Sequence, residues 1–162
     1  YALWPNMTVY QNISFGLTNI KEEMDEIDFD ARAAARMIEI LQKPGRLTPE
    51  EFSIIKLHPQ ASWQLLMESH GEIIAEIALQ HHERMDGSGY PRGLHADAIR
   101  MDARIIAVAD VFDAITSKRS YNNPVSYEQA LSIMEQEQQL YDSDVLHALH
   151  ILVREKRLSI SI

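Results

Sequence analysis

Thr48-Pro49-Glu50-Glu51-Phe52-Ser53-Ile54-Ile55-Lys56-Leu57-His58-Pro59 decides the fold class of this chain. Thr48 with Glu51 three residues on is a capping box, and Pro49 occupies the first helical position, so a helix starts there. Pro59 has no N–H to donate, so the helix falters at that point and resumes through Trp63, Leu65, Leu66 and Met67. Upstream, Ile27, Ala34, Ile38 and Leu41 fall on one face of a helix over residues 27–41. Downstream, residues 72–83 form a further helix with Ile74, Ile77 and His81 on one face. A turn-rich loop follows, Asp86-Gly87-Ser88-Gly89-Tyr90-Pro91-Arg92-Gly93, and then a small-residue apolar helix over 102–116. Ser126 with Gln129 caps another helix, and Asp142 or Ser143 begins the last. No segment alternates as a strand, so the expected class is all-α.

Composition narrows the chemistry. The chain has 162 residues, a length that suits one core, and a net charge of −9. There are seven His and no Cys, which removes disulfides, thiolate metal sites and cysteine nucleophiles. A transition metal here must be held by imidazole and carboxylate. With a pI near 5.2, binding to a nucleic acid polymer is not expected. No apolar run reaches the ~18–20 residues that span a bilayer, and no signal pattern opens the chain, so no membrane role and a cytoplasmic location are expected. The acidity is concentrated at the front, where Glu22, Glu23, Asp25, Glu26, Asp28, Asp30 and Glu39 outweigh Lys21, Arg32 and Arg36. Between residues 84 and 119 the charges nearly balance, so a small anionic ligand is expected there.

His58, the adjacent pair His81-His82, and Asp110 form the candidate constellation. Asp110 sits within Ile105-Ile106-Ala107-Val108-Ala109-Asp110-Val111-Phe112, where a carboxylate needs a cation or a partner. His81 and His82 end an apolar-faced helix beside the glycine loop, and His58 stands at the proline break. Each imidazole alone reads equally as a satisfied core or surface residue; together with the acid they point to metal binding. His70, His95, His147 and His150 read as packing or solvated residues, Asp113 as a cap or ion-pair partner, and Met24, Met37, Met67 and Met134 as core fillers.

These same residues carry a resemblance. Lys43-Pro44-Gly45-Arg46-Leu47-Thr48-Pro49-Glu50-Glu51-Phe52, Ile55-Lys56-Leu57-His58-Pro59, His81-His82-Glu83-Arg84-Met85-Asp86-Gly87-Ser88-Gly89-Tyr90-Pro91 and Ala103-Arg104-Ile105-Ile106-Ala107-Val108-Ala109-Asp110 resemble the HD-GYP branch of the HD-domain phosphohydrolases. Ser117-Lys118-Arg119-Ser120-Tyr121 also fits, and the likeness spans residues 42–153. It implies an all-helical, metal-dependent phosphodiesterase of the kind that acts on cyclic di-GMP. It also implies that His58, His81, His82 and Asp110 are metal ligands and that Gly89, Tyr90 and Pro91 border the substrate cleft. The His-Asp pair and Lys that precede the Lys-Pro-Gly-Arg-Leu segment in that family have no counterpart. Their spacing falls on Phe29-Asp30, where the histidine is lost and the acid matches by spacing alone. A single ion on His58, His81, His82 and Asp110, with water in an open position, is the expected centre, and Asp30 stays an open alternative.

Residues 1–41, opening Tyr1-Ala2-Leu3-Trp4-Pro5-Asn6-Met7-Thr8-Val9-Tyr10-Gln11-Asn12, resemble instead the ATP-binding subunit of an ABC importer just past its Q-loop glutamine. The phosphate loop, signature motif and Walker B strand are missing, so no ATP binding is expected. The expected organisation is therefore a fusion: an ABC-like fragment over 1–41, serving as a surrogate for missing front helices, and a truncated HD-domain-like bundle over 42–162. The apolar face left by those helices must be covered again, which predicts a homodimer.

The expected activity is metal-dependent hydrolysis of a small phosphate ester, diester or triester, with relaxed specificity. A divalent ion (Zn, Mn, Fe, Co or Ni) would activate water. Arg84, Lys118 and Arg119 would steady the developing charge. The rival is a degenerate module that dimerises and binds a metal or nucleotide without turnover.

Overall fold

The computed structural model describes residues 31–43, 45–117 and 124–158. They form seven α-helices: α1 (Ala31–Gln42), α2 (Pro49–Ile55), α3 (His58–His70), α4 (Glu72–Gln80), α5 (Met101–Thr116), α6 (Tyr127–Gln136) and α7 (Ser143–Arg154). Single 3-10 turns lie at Ala96–Ala98 and Gln138–Leu140. No strand occurs among the described residues; one isolated antiparallel bridge joins Asp86 to His95. The all-α class holds.

The helix starts follow from their caps. Thr48 Oγ1 accepts from the Glu51 amide and Glu51 returns the bond to the Thr48 amide, closing the capping box of α2. Ser126 and Gln129 do the same for α6. Asp142 caps α7, its Oδ1 accepting from the Asp144 and Val145 amides, while Oδ2 accepts from Arg104 at 3.0 Å. Pro59 does more than interrupt: α2 ends at Ile55 and a separate helix begins at His58.

Most apolar burial lies in the C-terminal half. Val108 and Phe112 of α5, Ala130, Leu131 and Met134 of α6, and Leu146, Leu149 and Val153 of α7 close around Tyr141. Met134 is fully enclosed, a placement worth roughly 1.5–3 kcal/mol over an exposed side chain. A smaller cluster, Met37 and Ile40 of α1 against Ile55 of α2, lies at the N-terminal side. Two expected faces are corrected. On α1 the buried pair is Met37 and Ile40, with Ile38 and Leu41 half-buried. On α4, which stops at Gln80, the buried residues are Ala75, Leu79 and Gln80; Ile74 is exposed and Ile77 half-buried. With apolar residues nearly all round so short a helix, periodicity leaves its inner face undetermined.

Between the two clusters, α3 and α4 pack along their length as a hairpin joined by Gly71 alone. Gly71 has φ +79°, a backbone angle that side-chain-bearing residues rarely adopt. The hairpin's open end carries His58 on one arm and His81-His82 on the other.

Candidate metal centre

His58 is the first residue of α3 and His81 the residue that caps α4, so each ring projects from a helix end into the same space. Each Nδ1 is held by the preceding turn: His58 Nδ1 donates to the Ile55 carbonyl at 2.7 Å and His81 Nδ1 to the Ala78 carbonyl at 2.6 Å. A carbonyl oxygen only accepts, so both protons sit on Nδ1 and both Nε2 atoms carry a bare lone pair in the neutral rings. Those two Nε2 atoms face each other at 3.2 Å. His82 completes the group, its ring centroid 4.0 Å from that of His81 and 4.8 Å from that of His58. One ligand atom from each of the three lies within 4.8 Å of the others.

Protons do not resolve this juxtaposition at neutral pH. Burial, with the neighbouring imidazole, pushes His58 down to about 4, and burial pushes His81 to about 4 despite its bond to Ala78. Burial, then the His81 and His58 charges, pushes His82 down further still. Three neutral imidazoles, two of them with Nε2 lone pairs turned toward each other, offer a donor set for a divalent cation. Cis ligands at ~2.1 Å from one ion stand roughly 3.0–3.4 Å apart, which brackets the observed Nε2 separation. The residues present fit a transition metal.

Asp110 of α5 brings a carboxylate beside the cluster, Oδ2 lying 4.0 Å from His82 Nδ1. Arg84 is half-buried next to His81, its Nη1 donating to the Glu83 carbonyl at 2.9 Å and, more weakly, the His81 carbonyl at 3.4 Å. Its charge therefore sits beside the cluster, with one arm of the guanidinium already engaged. Tyr90 stacks on His82 with centroids 4.8 Å apart, and burial raises its phenol so that it stays protonated. Gly89 meets the Glu83 and Arg84 backbone so closely that an added Cβ would lie 2.5 Å from it, so only glycine fits. The Tyr90–Pro91 peptide is cis. Of the three expected cleft residues, Tyr90 meets the imidazole cluster directly, Gly89 lies against the Glu83–Arg84 backbone, and Pro91 follows Tyr90 in the loop. Lys118, Arg119 and Asp30 lie outside the described residues. Of the histidines set aside, His150 pairs with Glu135, His70 with Ser69, and the His95 ring packs onto Gly87.

Residues 32–145 match the family described as HD domain. The chain belongs to the HD domain family. The match begins inside the 1–41 segment that the sequence set apart, and the comparisons give no support to the ABC-importer likeness of that segment. This HD domain is 48% identical over 120 residues to a cyclic di-GMP phosphodiesterase of Thermotoga maritima, covering 72% of this chain and 33% of that one. It is 46% identical over 114 residues to a cyclic di-GMP phosphodiesterase response regulator of Xanthomonas campestris pv. campestris, covering 68% and 30%. The chain thus spans about a third of the length of these curated relatives. Among solved structures, an HDG"Y"P protein from Bdellovibrio bacteriovorus superposes with a TM-score of 0.56 at 16% identity, over 88% of this chain and 49% of that one, which confirms the fold.

Sequence reasoning passed over one residue that shapes the site of this HD domain. Glu83 is 2% exposed, yet its carboxylate is fully employed: Oε1 accepts from the Arg92 amide at 2.7 Å and Oε2 from the Leu94 amide at 2.9 Å. It is the anchor of the loop that carries Tyr90, helped by the Tyr90 amide donating to the His82 carbonyl at 3.2 Å. Its position directly after the histidine pair was the available signal. The partners, backbone amides nine and eleven residues away, are not written in any side chain.

Proposed function

We propose that this domain is a metal-dependent phosphodiesterase in which His58, His81 and His82, flanked by Asp110, hold a divalent ion against a small phosphate ester. The observation that carries the reading is the pair of bare Nε2 lone pairs at 3.2 Å, each fixed by a carbonyl behind it. Carbonyl partners of this kind orient imidazoles and raise their basicity as ligands. The names of the relatives supply the substrate class, a cyclic dinucleotide. Smaller activated phosphodiesters and phosphotriesters extend the range to a relaxed specificity.

When bound, the metal supplies a Lewis acid for phosphoryl oxygen and lowers the pKa of a ligated water. The chain's own residues do the rest. The two carbonyls hold His58 and His81 in the ligating tautomer. Tyr90 covers His82 on its open side and limits water around it. Arg84 places positive charge beside the group that gains negative charge, and Lys118 and Arg119 join it in this proposal. A homodimer is part of the same reading: Ile73, Ile74, Met101 and Ile105 are exposed apolar side chains of α4 and α5.

Chelation followed by metal add-back tests the function directly. Turnover of a chromogenic phosphodiester should fall to background on chelation and return with the ion. The double variant His81→Ala/His82→Ala should lose both bound metal and at least ~100-fold in turnover. Activity indifferent to chelator would overturn the assignment, and bound metal without turnover would favour a non-catalytic module. Sedimentation of the purified chain decides the dimer.

A further inference from the structure

Phe52 and Lys56 stand one turn apart at the end of α2, on the side facing the Tyr90 loop. The Phe52 ring meets Tyr90 edge-on, with centroids 6.3 Å apart and planes at 82°. Lys56 Nζ lies over both rings, 4.9 Å from the Phe52 centroid and 5.2 Å from that of Tyr90. Tyr90 in turn stacks on His82. A continuous rim therefore runs from an exposed cation, across two aromatic rings, to the imidazole cluster.

Neither member of this rim is explained by folding. Phe52 is 44% exposed, while the apolar residues of α2 that serve the core are Ile54 and Ile55. Lys56 is exposed, and its described contacts are aromatic faces rather than a carboxylate. An exposed aromatic ring beside an exposed cation matches a nucleotide: the base stacks on the ring and the phosphate meets the ammonium.

We infer that Phe52 and Lys56 form, with Tyr90, a nucleotide-recognition rim in which Phe52 stacks a nucleobase and Lys56 contacts the phosphate that is not being cleaved. The inference rests on the phosphodiesterase reading for the identity of the substrate, but its test reads equilibrium binding, not turnover. Cyclic di-GMP and base-free pyrophosphate are titrated separately into the metal-loaded chain. Lys56→Met should weaken both probes by about tenfold and flatten the salt dependence of binding, and Lys56→Arg should restore both. Phe52→Leu keeps the apolar bulk but loses the π-face. It should weaken cyclic di-GMP by about tenfold and leave pyrophosphate unchanged.

Metal content is measured on every variant, so that loss of the ion is not mistaken for loss of the rim. Cyclic di-GMP binding unchanged in both Lys56→Met and Phe52→Leu overturns the rim even if the protein hydrolyses phosphodiesters. So does a wild-type chain that binds metal and no dinucleotide. Base-selective weakening in a protein that turns nothing over upholds the rim while the catalytic reading fails.

Discussion

The two halves of the molecule are stabilised by different means. Around α5, α6 and α7 the interior is apolar, with Met134 enclosed by Val108, Leu131, Leu149 and their neighbours. Around α3, α4 and the 84–95 loop, the buried residues include His58, Gln80, His81 and Glu83. Each of these polar groups is bound to backbone: His58 to Ile55, His81 to Ala78, Gln80 to the Arg100 amide, Glu83 to Arg92 and Leu94. Apolar burial is indifferent to orientation, whereas a hydrogen-bonded polar group fixes an atom in place. The domain thus separates a half that supplies stability from a half that supplies geometry. Within the apolar half, the part-buried Arg104–Asp142 pair ties the start of α5 to the cap of α7, because Arg104 also donates to the Ile99 carbonyl just before α5.

The largest effect that could break this division is expected in the apolar half. Met134→Ala should cost about 2–5 kcal/mol by leaving a cavity, with turnover per folded molecule unchanged. Denaturant unfolding beside a rate measurement at low temperature checks it; a proportionate fall in kcat would show that the halves are not separable. Next comes Glu83→Ala, which removes the acceptors of the Arg92 and Leu94 amides and should cost about 1–3 kcal/mol while also lowering turnover, because the Tyr90 loop loses its anchor. Glu83→Gln retains one accepting oxygen and should fall between wild type and Ala in both stability and rate. An Ala variant that is destabilised yet fully active would confine Glu83 to the fold.

A third test is a pH slope assigned to the site half alone. His58 and His81 titrate near 4 in the folded chain, below the ordinary 6.5, so the unfolded chain binds more protons between those values. Stability of the metal-free protein should therefore decline as pH falls from about 6.5 to about 4, then level off with respect to these groups. Thermal melts across that window, compared with a His58→Gln/His81→Gln variant whose slope is reduced to the part left by His82, check the sign. Asp142 contributes separately: burial opposes its ionised form, but the Arg104 bond and two backbone donors outweigh it and hold it below the usual carboxylate range.

Much of this was legible in the sequence. Capping residues are local, so Thr48, Ser126 and Asp142 announced their helices without tertiary information. The imidazole cluster was legible only as a conjunction, three histidines with an acid in an apolar helix and a glycine loop, since any one histidine alone reads as a packing or surface residue. On α1, where Arg32, Arg36 and Glu39 give contrast, the expected face was off by one residue, and the inner face of α4 was not legible. Where nearly every residue is apolar, periodicity has no contrast, and Ala75 and Leu79 rather than Ile74 face inward because packing partners decide it. Glu83 was illegible for the opposite reason, since a carboxylate satisfied by distant amides looks in the sequence like any surface acid. Phe52 and Lys56 carry no signal of their own in the sequence, because what groups them is a contact with Tyr90 more than thirty residues away.

The hairpin of α3 and α4 also acts as a caliper. Gly71 is its hinge, and the lengths of the two arms set where His58 and His81 meet. Adding or deleting one residue in either arm advances the tip by about 1.5 Å and turns it by about 100°, which would swing one imidazole out of reach of the other. Substitutions along the outer faces of these helices leave that gauge intact. Descendants of this chain are thus free to drift in composition here but not in length, and a single-codon insertion between 59 and 80 should silence the site more surely than most replacements within it.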